Sequence, residues 1–508
     1  MKRAHSLEEM KERIELFLLE QPRPVLTEPG RDVVDLSTSS YSLTTAHGRL
    51  LWHIWNESTN LVRQITAVRA SHPGRLELRY QRFGKGPPGR LVVANSRAPA
   101  DHLERRSLRT QYLRRLARWL HQLFPLWKLQ ELTTEPDLAR SLSGRYARGW
   151  MARGNRAWAI LGSSATDDGS ASDDSLAYGL LWLDWLRQRH PSQTFEGLKL
   201  FLPRGTSETT RNRLAWLHPK AGKWELYETG QGSSEEVLPR DVADFGNLKT
   251  RLTRLSAPAE LPSSLAALAA AIAATSPQVQ VQCGNDGTRR WSLHGLVFAR
   301  QSSQGIVFGL GRAETLLTPQ NAPELQHLVR RLAAFRTPHA VDLSHPFYRA
   351  QPERWMQSIL AGQLDRLDPA LQSDAVYEQV PAVAGASRGL LDLLAVNAAG
   401  RLAVIELKAA EDLQLPLQAL DYWMRVRWHH QRGDLQREGY FRGRVLRAEP
   451  PLLLLVSPAL QFHPACDVLL RYFVPDIEVV RIGLNEEWRK EWKVVFRKAG
   501  WGAEARTG

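Results

Sequence analysis

Apolar and polar positions recur along this chain with two different periods, and the change of period divides it. Residues 1–21 read MKRAHSLEEMKERIELFLLEQ, with apolar residues three and four apart, the spacing of an amphipathic helix closed by Pro22 and Pro24. From Tyr41 to Ala94 the period falls to two in YSLTTAHGRLLWHIW, NLVRQITAVRAS, GRLELRYQRFG and GRLVVA. Gly, Pro, Asn and Ser separate these runs, which predicts a small antiparallel sheet. Helical spacing returns from about Asp101 to Phe124, where Leu108, Tyr112, Leu116, Trp119 and Leu123 predict a buried face. Between Arg145 and Glu228 the runs RAWAILG, SLAYGLLWLDWLRQRH, LKLFLP, SETTRNRLAWLH and KWELYE alternate between strand and helix, the mark of an α/β layer. An Ala-rich helix follows, then the strands VQVQC, RRWSLHGLVFARQ and GIVFGLG, then a helix opened by Pro323. Sheet followed by basic helix thus occurs twice, ending in YLRRLARWL and in LVRRLAAF, an echo too thin to establish a duplication.

The last third begins near Val341. It predicts a helix from Pro352 to Leu367, a strand at AVYEQVPAVA, and two apolar runs on either side of the turn Asn397-Ala398-Ala399-Gly400. A helix opened by Pro416 and closed by Gly433 comes next, then the strand PLLLLVSP, the helix HPACDVLLRYF and the strand IEVVRIGL. The expected organisation is a helix over 1–25, a β-rich module with the basic helix over 26–130, a small α/β module over 145–230, a second β-rich module with a helix over 255–340, and a C-terminal domain over 341–500. The fold class is α/β in the broad sense, a multidomain α+β chain of 508 residues.

Composition narrows the partner. The net charge is +14 with a pI of about 9.9, which favours a polyanion such as nucleic acid. Arg105, Arg106, Arg109, Arg114, Arg115 and Arg118 lie mostly off the apolar face of the basic helix. They can grip phosphates, or form an ordinary solvated face. The two cysteines, Cys283 and Cys466, support neither a disulfide framework nor a cysteine-rich zinc site, and a reducing cytoplasm is the natural setting. No stretch carries the roughly 18 uninterrupted apolar residues of a membrane span, so no membrane partner is expected.

The chemistry concentrates in GLLDLLAVNAAGRLAVIELKAAEDLQLPLQALDY, residues 389–422. Both apolar runs are apolar on both faces, as in strands buried inside a sheet, yet they contain Asp392, Glu406 and Lys408. A buried charge is costly unless paired or bound to a metal. Glu406 and Lys408 leave one face of their strand, and a tight hairpin brings Asp392 within about one residue of lying opposite Glu406. Two adjacent carboxylates suit a hard divalent cation, and an ammonium beside them suits developing phosphate charge. A structural ion pair is the plainer reading of Glu-x-Lys alone.

The following helix adds Gln418, Asp421, Tyr422, Arg425 and His429 at helical spacing, opposite the stripe Leu417, Leu420, Met424 and Trp428. Gly389 and Asp392, then Glu406 and Lys408, then Gln418 and Tyr422 together resemble the motifs of the PD-(D/E)XK nucleases. The likeness is to their RecB-like branch, which includes two-domain mismatch and branched-DNA endonucleases. It covers about 351–484, and implies a restriction-endonuclease-like αβββαβ core there. It also implies a Mg²⁺- or Mn²⁺-dependent deoxyribonuclease, an endonuclease of DNA repair or defence. Asp392 and Glu406 would bind the metal, with Glu353 of the preceding helix as a further ligand or, equally, a helix-dipole partner. Lys408 would serve the attacking water, while Gln418 and Tyr422 would touch substrate or brace the site. DNA is expected over RNA, although neither motif nor charge separates them. Arg105, Arg106, Arg109, Arg115 and Arg425 are the expected phosphate contacts. The first two-thirds would select substrate or form a homodimer. The alternative is a nucleic-acid-binding or ligand-sensing protein on a silent nuclease fold.

Smaller features carry less. The acidic stretch from Ser163 to Asp174 reads as a surface loop, Glu378 as exposed, and Asp421 as a partner of Lys408 or Arg425 or a surface acid. His429 and His430 leave their helix in different directions and do not suggest zinc.

Overall fold

The computed structural model describes residues 6–500 except 22–23, 29–33, 38, 47, 56–59, 73, 82–88, 96–101, 138–141, 143, 165–168, 231–235, 243–247, 249, 259, 261, 311–313 and 385–386. The chain forms two compact units, Met1–Pro99 with Ser256–Ile359, and Ala100–Leu255 with Leu360–Gly508.

The first unit opens with α1 (Leu7–Glu20). The Ser6 hydroxyl accepts the Glu9 N–H at 3.2 Å and the Glu9 carboxylate accepts the Ser6 N–H at 2.8 Å, a reciprocal cap on the first turn. Seven strands follow: β1 (Pro24–Thr27), β2 (Val34–Asp35), β3 (Ser40–Ala46), β4 (Arg49–Trp55), β5 (Asn60–His72), β6 (Arg75–Gln81) and β7 (Gly89–Asn95). They form one antiparallel sheet in the order β2-β1-β7-β6-β5-β4-β3. Met10, Ile14 and Leu18 of α1 complete its core, while Leu16 joins a second one.

The second unit begins with α2 (His102–Leu123), β8 (Lys128–Thr133), β9 (Ala147–Arg153), β10 (Arg156–Gly162), α3 (Gly169–Arg189), β11 (Thr194–Pro203), α4 (Glu208–Leu214), β12 (Lys223–Thr229), β13 (Val237–Arg240) and β14 (Thr250–Leu252). Strands β8, β9 and β10 are antiparallel, α3 and α4 carry the chain to the parallel strands β11 and β12, and β13 closes the edge antiparallel. Tyr112, Leu116, Trp119 and Leu120 of α2 bury against Met151, Trp158, Ile160 and Phe201 on one face of this sheet. Leu123, expected on that buried face, is 38% exposed, because it ends the helix where the chain turns towards β8. The side chain of Leu108 lies outside the described residues.

The chain then returns to the first unit through α5 (Ser263–Ala274), β15 (Val279–Cys283), β16 (Arg289–Leu293), β17 (Leu296–Ser302), β18 (Gly305–Phe308), β19 (Thr315–Leu316), α6 (Ala322–Phe335), α7 (Pro346–Arg349) and α8 (Pro352–Leu360). The five strands form an antiparallel sheet in sequence order. The fully buried Arg336 guanidinium donates to the carbonyls of Leu293, His294, Phe347 and Ala350, tying α6 to a hairpin and to α7.

The final stretch holds α9 (Leu364–Leu367), β20 (Leu371–Ala384), β21 (Ser387–Asn397), β22 (Leu402–Leu407), α10 (Leu415–Gln431), α11 (Asp434–Arg437), β23 (Leu452–Pro458), α12 (Cys466–Leu470), β24 (Val479–Leu484) and β25 (Val494–Ala499). The helix expected over 352–367 is thus two, α8 and α9, separated around Gly362. The sheet runs β14-β20-β21-β22-β23-β24-β25. Strands β20, β21 and β22 are antiparallel, and β22, β23 and β24 are parallel through α10 and α12. Leu180, Leu183, Leu198 and Leu200 share one apolar core with Leu402, Val404, Leu420, Trp423 and Leu455. Among the described residues no helix is long and apolar enough to cross a membrane.

Candidate active site

The site is built where β21 and β22 part. Their hairpin turns at Gly400, whose φ of +87° suits glycine, with the Asn397 side chain accepting the N–H groups of Ala399 and Arg401. The ladder sets Leu393 opposite Ile405, so the next step sets Asp392 opposite Glu406. One Asp392 carboxylate oxygen accepts the Leu407 N–H at 2.9 Å, which orients it across the end of the pairing. Glu406 is 4% exposed, and its Oε2 has no hydrogen-bond partner. Burial, reinforced by the charge of Asp392, holds the Glu406 carboxyl well above the usual carboxylate range, against the pull of Lys408. The Lys408 ammonium lies 3.7 Å from Glu406 Oε1 and 3.5 Å from Asp412 Oδ2.

Helix α10 brings the rest. Pro416 stands in its first turn, and the Gln414 N–H is received by Asp412 at 2.8 Å. Burial and then the charges of Glu406 and Asp392 push the Tyr422 phenol up, so its ring lies within the field of both carboxylates. Gln418 sits one turn before it, half buried. Arg425 is 8% exposed and lies over the Tyr422 ring at 5.7 Å, so it belongs to the packing around the site rather than to an open basic surface. Asp421 pairs with neither Lys408 nor Arg425 as its main partner. It receives a two-pronged ion pair from Arg213 of α4, Nε to Oδ1 at 2.9 Å and Nη2 to Oδ2 at 2.8 Å. Spacing along α10 could not show a partner 208 residues away.

Two contributors lay outside the motif. Asp412 is four residues from Lys408 and just ahead of a helix opened by proline, a signal readable in Asp412-Leu413-Gln414-Leu415-Pro416. Asp174 had no such signal. Asp173 and Asp174, read as part of a surface loop, are helical residues of α3, and the Asp174 carbonyl faces the Gln414 amide at 3.5 Å. Burial pushes the Asp174 carboxyl up to about 6, with Asp173 and Asp412 adding to the rise. Residues 165–168 of that stretch lie outside the described residues.

Glu353 occupies the first turn of α8 in the first unit, whereas Asp392, Glu406 and Lys408 belong to the second. Glu378 is half buried, opposite Leu393, rather than exposed. The side chains of Arg105 and Arg106 lie outside the described residues; Arg109 is exposed, and Arg115 is half buried, over the Trp119 ring at 5.0 Å. His429 is buried between Asp434, 2.8 Å from Nδ1, and Thr250, 3.1 Å from Nε2, and burial pushes it down to about 4. Cys283 is exposed and Cys466 buried, both free.

Among the described residues no three His, Cys, Asp or Glu side chains form a metal cluster. The donors at hand are Asp392 and Glu406, and the unpartnered buried oxygen of Glu406 fits a hard cation that keeps most of its waters. No protein-family model matches the chain, and no curated protein matches it.

Proposed function

We propose that this chain hydrolyses phosphodiester bonds in DNA with the help of a divalent cation, Mg²⁺ or Mn²⁺, held by Asp392 and Glu406. The observation that carries the reading is Glu406: a carboxylate 4% exposed, one oxygen unpartnered, with a second acid opposite it and an ammonium 3.7 Å away. An orphaned buried acceptor costs about 1–3 kcal/mol, and a cation bound between the two acids would relieve that cost. A bound cation would polarise a phosphate oxygen and acidify a coordinated water. Asp392, anchored by the Leu407 N–H, keeps its orientation without a cation and so preorganises the pair. Lys408, held between Glu406 and Asp412, can receive charge developing on the phosphate and orient the water. Tyr422 and Gln418 border the pair from α10. The succession of three antiparallel strands, a helix and a parallel strand supports this reading, since the motifs resemble those of nucleases built on such an order.

The test is cleavage of single-stranded, duplex, nicked and branched DNA with Mg²⁺, Mn²⁺ or EDTA. Metal-dependent cutting is expected, falling at least a thousandfold in Asp392→Ala and Glu406→Ala while both still bind DNA. Cutting that survives both substitutions overturns the site. A folded protein that binds DNA and never cuts it would instead be a binding module on this fold.

A further inference from the structure

The two sheets of the second unit follow one path: three antiparallel strands, a helix, a parallel strand, a helix, a second parallel strand and an antiparallel edge. Their ends match residue by residue. Strand β10 parts from its neighbour after Gly162, opposite Phe201, and the Ser163 N–H then donates to the Phe201 carbonyl at 3.0 Å. Strand β22 parts after Leu407, opposite Val456, and the Lys408 N–H donates to the Val456 carbonyl at 3.0 Å. Two residues after Phe201 and Val456 both neighbours end on proline, Pro203 and Pro458. This match sets Leu161 where Glu406 stands and Ser163 where Lys408 stands. Across the ladder Leu161 faces Arg148, in the place of Asp392.

The junction between the halves has the same symmetry. Leu217, three residues past α4, forms an antiparallel bridge with Phe473, three residues past α12. His218 N–H donates to the Tyr472 carbonyl at 2.7 Å and Val474 N–H to the Trp216 carbonyl at 3.0 Å. Matched residues meet each other, as a two-fold contact requires. Ion pairs join the corresponding helices, though not at matched positions: Arg213 of α4 holds Asp421 of α10, and Arg471 beside α12 lies 4.0 Å from Asp184 of α3.

We infer that the second unit is two copies of one αβ module closed on each other like a homodimer, that the first copy has lost its cation site, and that one chain therefore breaks one strand per encounter with duplex DNA. The strand consequence rests on the nuclease reading; the single cation site does not. In the first copy Arg148 is 5% exposed and lies over the Trp182 ring at 5.6 Å, so a fixed positive charge fills the position of the first acid. The hydrocarbon of Leu161 fills that of the second. Neither offers an oxygen to a hard cation. In the second copy the unpartnered oxygen of Glu406 remains. Each cut joins one water oxygen to phosphorus and breaks one bridging P–O bond. The departing oxygen takes one proton of that water, and the other passes to solvent.

Two measurements on the full chain test this. In the first, Mn²⁺ is titrated and its free-ion EPR signal followed for wild type, for the shape-conserving Glu406→Gln and Asp392→Asn, and for Arg148→Ala. Saturable binding is expected in wild type and Arg148→Ala and is expected to vanish in both acid variants. Binding of which half survives Glu406→Gln, or no saturable binding in wild type, overturns the single site. In the second, supercoiled plasmid is incubated with excess protein and Mn²⁺. Nicked circle is expected to accumulate first, with linear DNA only after a lag. Linear DNA forming as fast as supercoiled DNA disappears overturns the one-strand inference. Mn²⁺ binding that needs Glu406, without any cutting, leaves the single site standing and removes both the strand consequence and the nuclease reading.

Discussion

Glu406 is the residue at which stability and the proposed chemistry oppose each other. Its carboxyl is pushed well up by burial and then by the charge of Asp392, against the pull of Lys408. A group whose folded pKa is raised contributes stability below its unfolded value near 4.5 and loses it as pH rises through the folded value. Above that range the ionised, unpartnered oxygen is a standing cost. Glu406→Gln, which keeps the shape and removes the charge, is expected to stabilise the protein in EDTA by about 1–3 kcal/mol at pH 8, with the advantage shrinking towards pH 4.5. Thermal melts of both proteins across that range check it. Added Mn²⁺ should raise the melting temperature of wild type alone and narrow the gap, since a ligand stabilises only the form that binds it. A gap that is constant with pH and blind to Mn²⁺ would remove Glu406 from the cation site.

At the scale of elements, α10 is held from two sides. One side lies on β22 and β23; the other, read from spacing as a polar face, meets α4 and α12. Its polarity is satisfied by Arg213, which is 4% exposed and whose charge is sustained, against burial, by Asp421 and then by Asp173 and Asp174. Removing one member of such a pair strands the other, so Arg213→Ala is expected to cost about 3–5 kcal/mol in urea unfolding. Arg213→Ala with Asp421→Ala should cost clearly less than the sum of the two single changes. Additivity would show the pair to be incidental. This contact also marks what could be read in the sequence. Asp392, Glu406, Lys408 and Tyr422 were legible because hairpin register and helical spacing are local rules. The roles of Asp421 and Asp174 were not, because their partners arrive from distant parts of the chain. The break at Gly362 was masked by an apolar pattern that runs through both short helices.

At the scale of the whole molecule, the two sheets that share a path are not the pair which the echo of sheet and basic helix linked. The echo of sheet and basic helix linked the segments ending in YLRRLARWL and LVRRLAAF, yet the first of these helices packs on β8 and β9. The matching pair is instead the sheet of β8 to β13 and the sheet of β20 to β25. From sequence the first of these could be a decayed nuclease-like fold, but no residue required it, because a parallel α/β layer is specified by burial, which many apolar sequences satisfy alike. RAWAILG and LAVIEL share a register and almost no residues.

The shared junction has a consequence for any attempt to isolate the C-terminal part. Leu420, Trp423, Leu469 and Phe473 lie in a core that also contains Leu180, Leu183, Leu214 and Leu217. A fragment from Leu360 to Gly508 would leave that side of α10 and α12 bare. Because the missing half presented the same kind of surface, the natural cover for the wound is a second fragment. Such a piece is expected to run in light scattering at twice its own mass, or to precipitate, and to gain by that pairing a second acidic site. A two-site dimer of this kind would convert supercoiled plasmid to linear DNA without the lag of the intact chain. Under the nuclease reading truncation would thereby change the pattern of cutting, and a well-behaved monomeric fragment would show that the halves do not depend on each other.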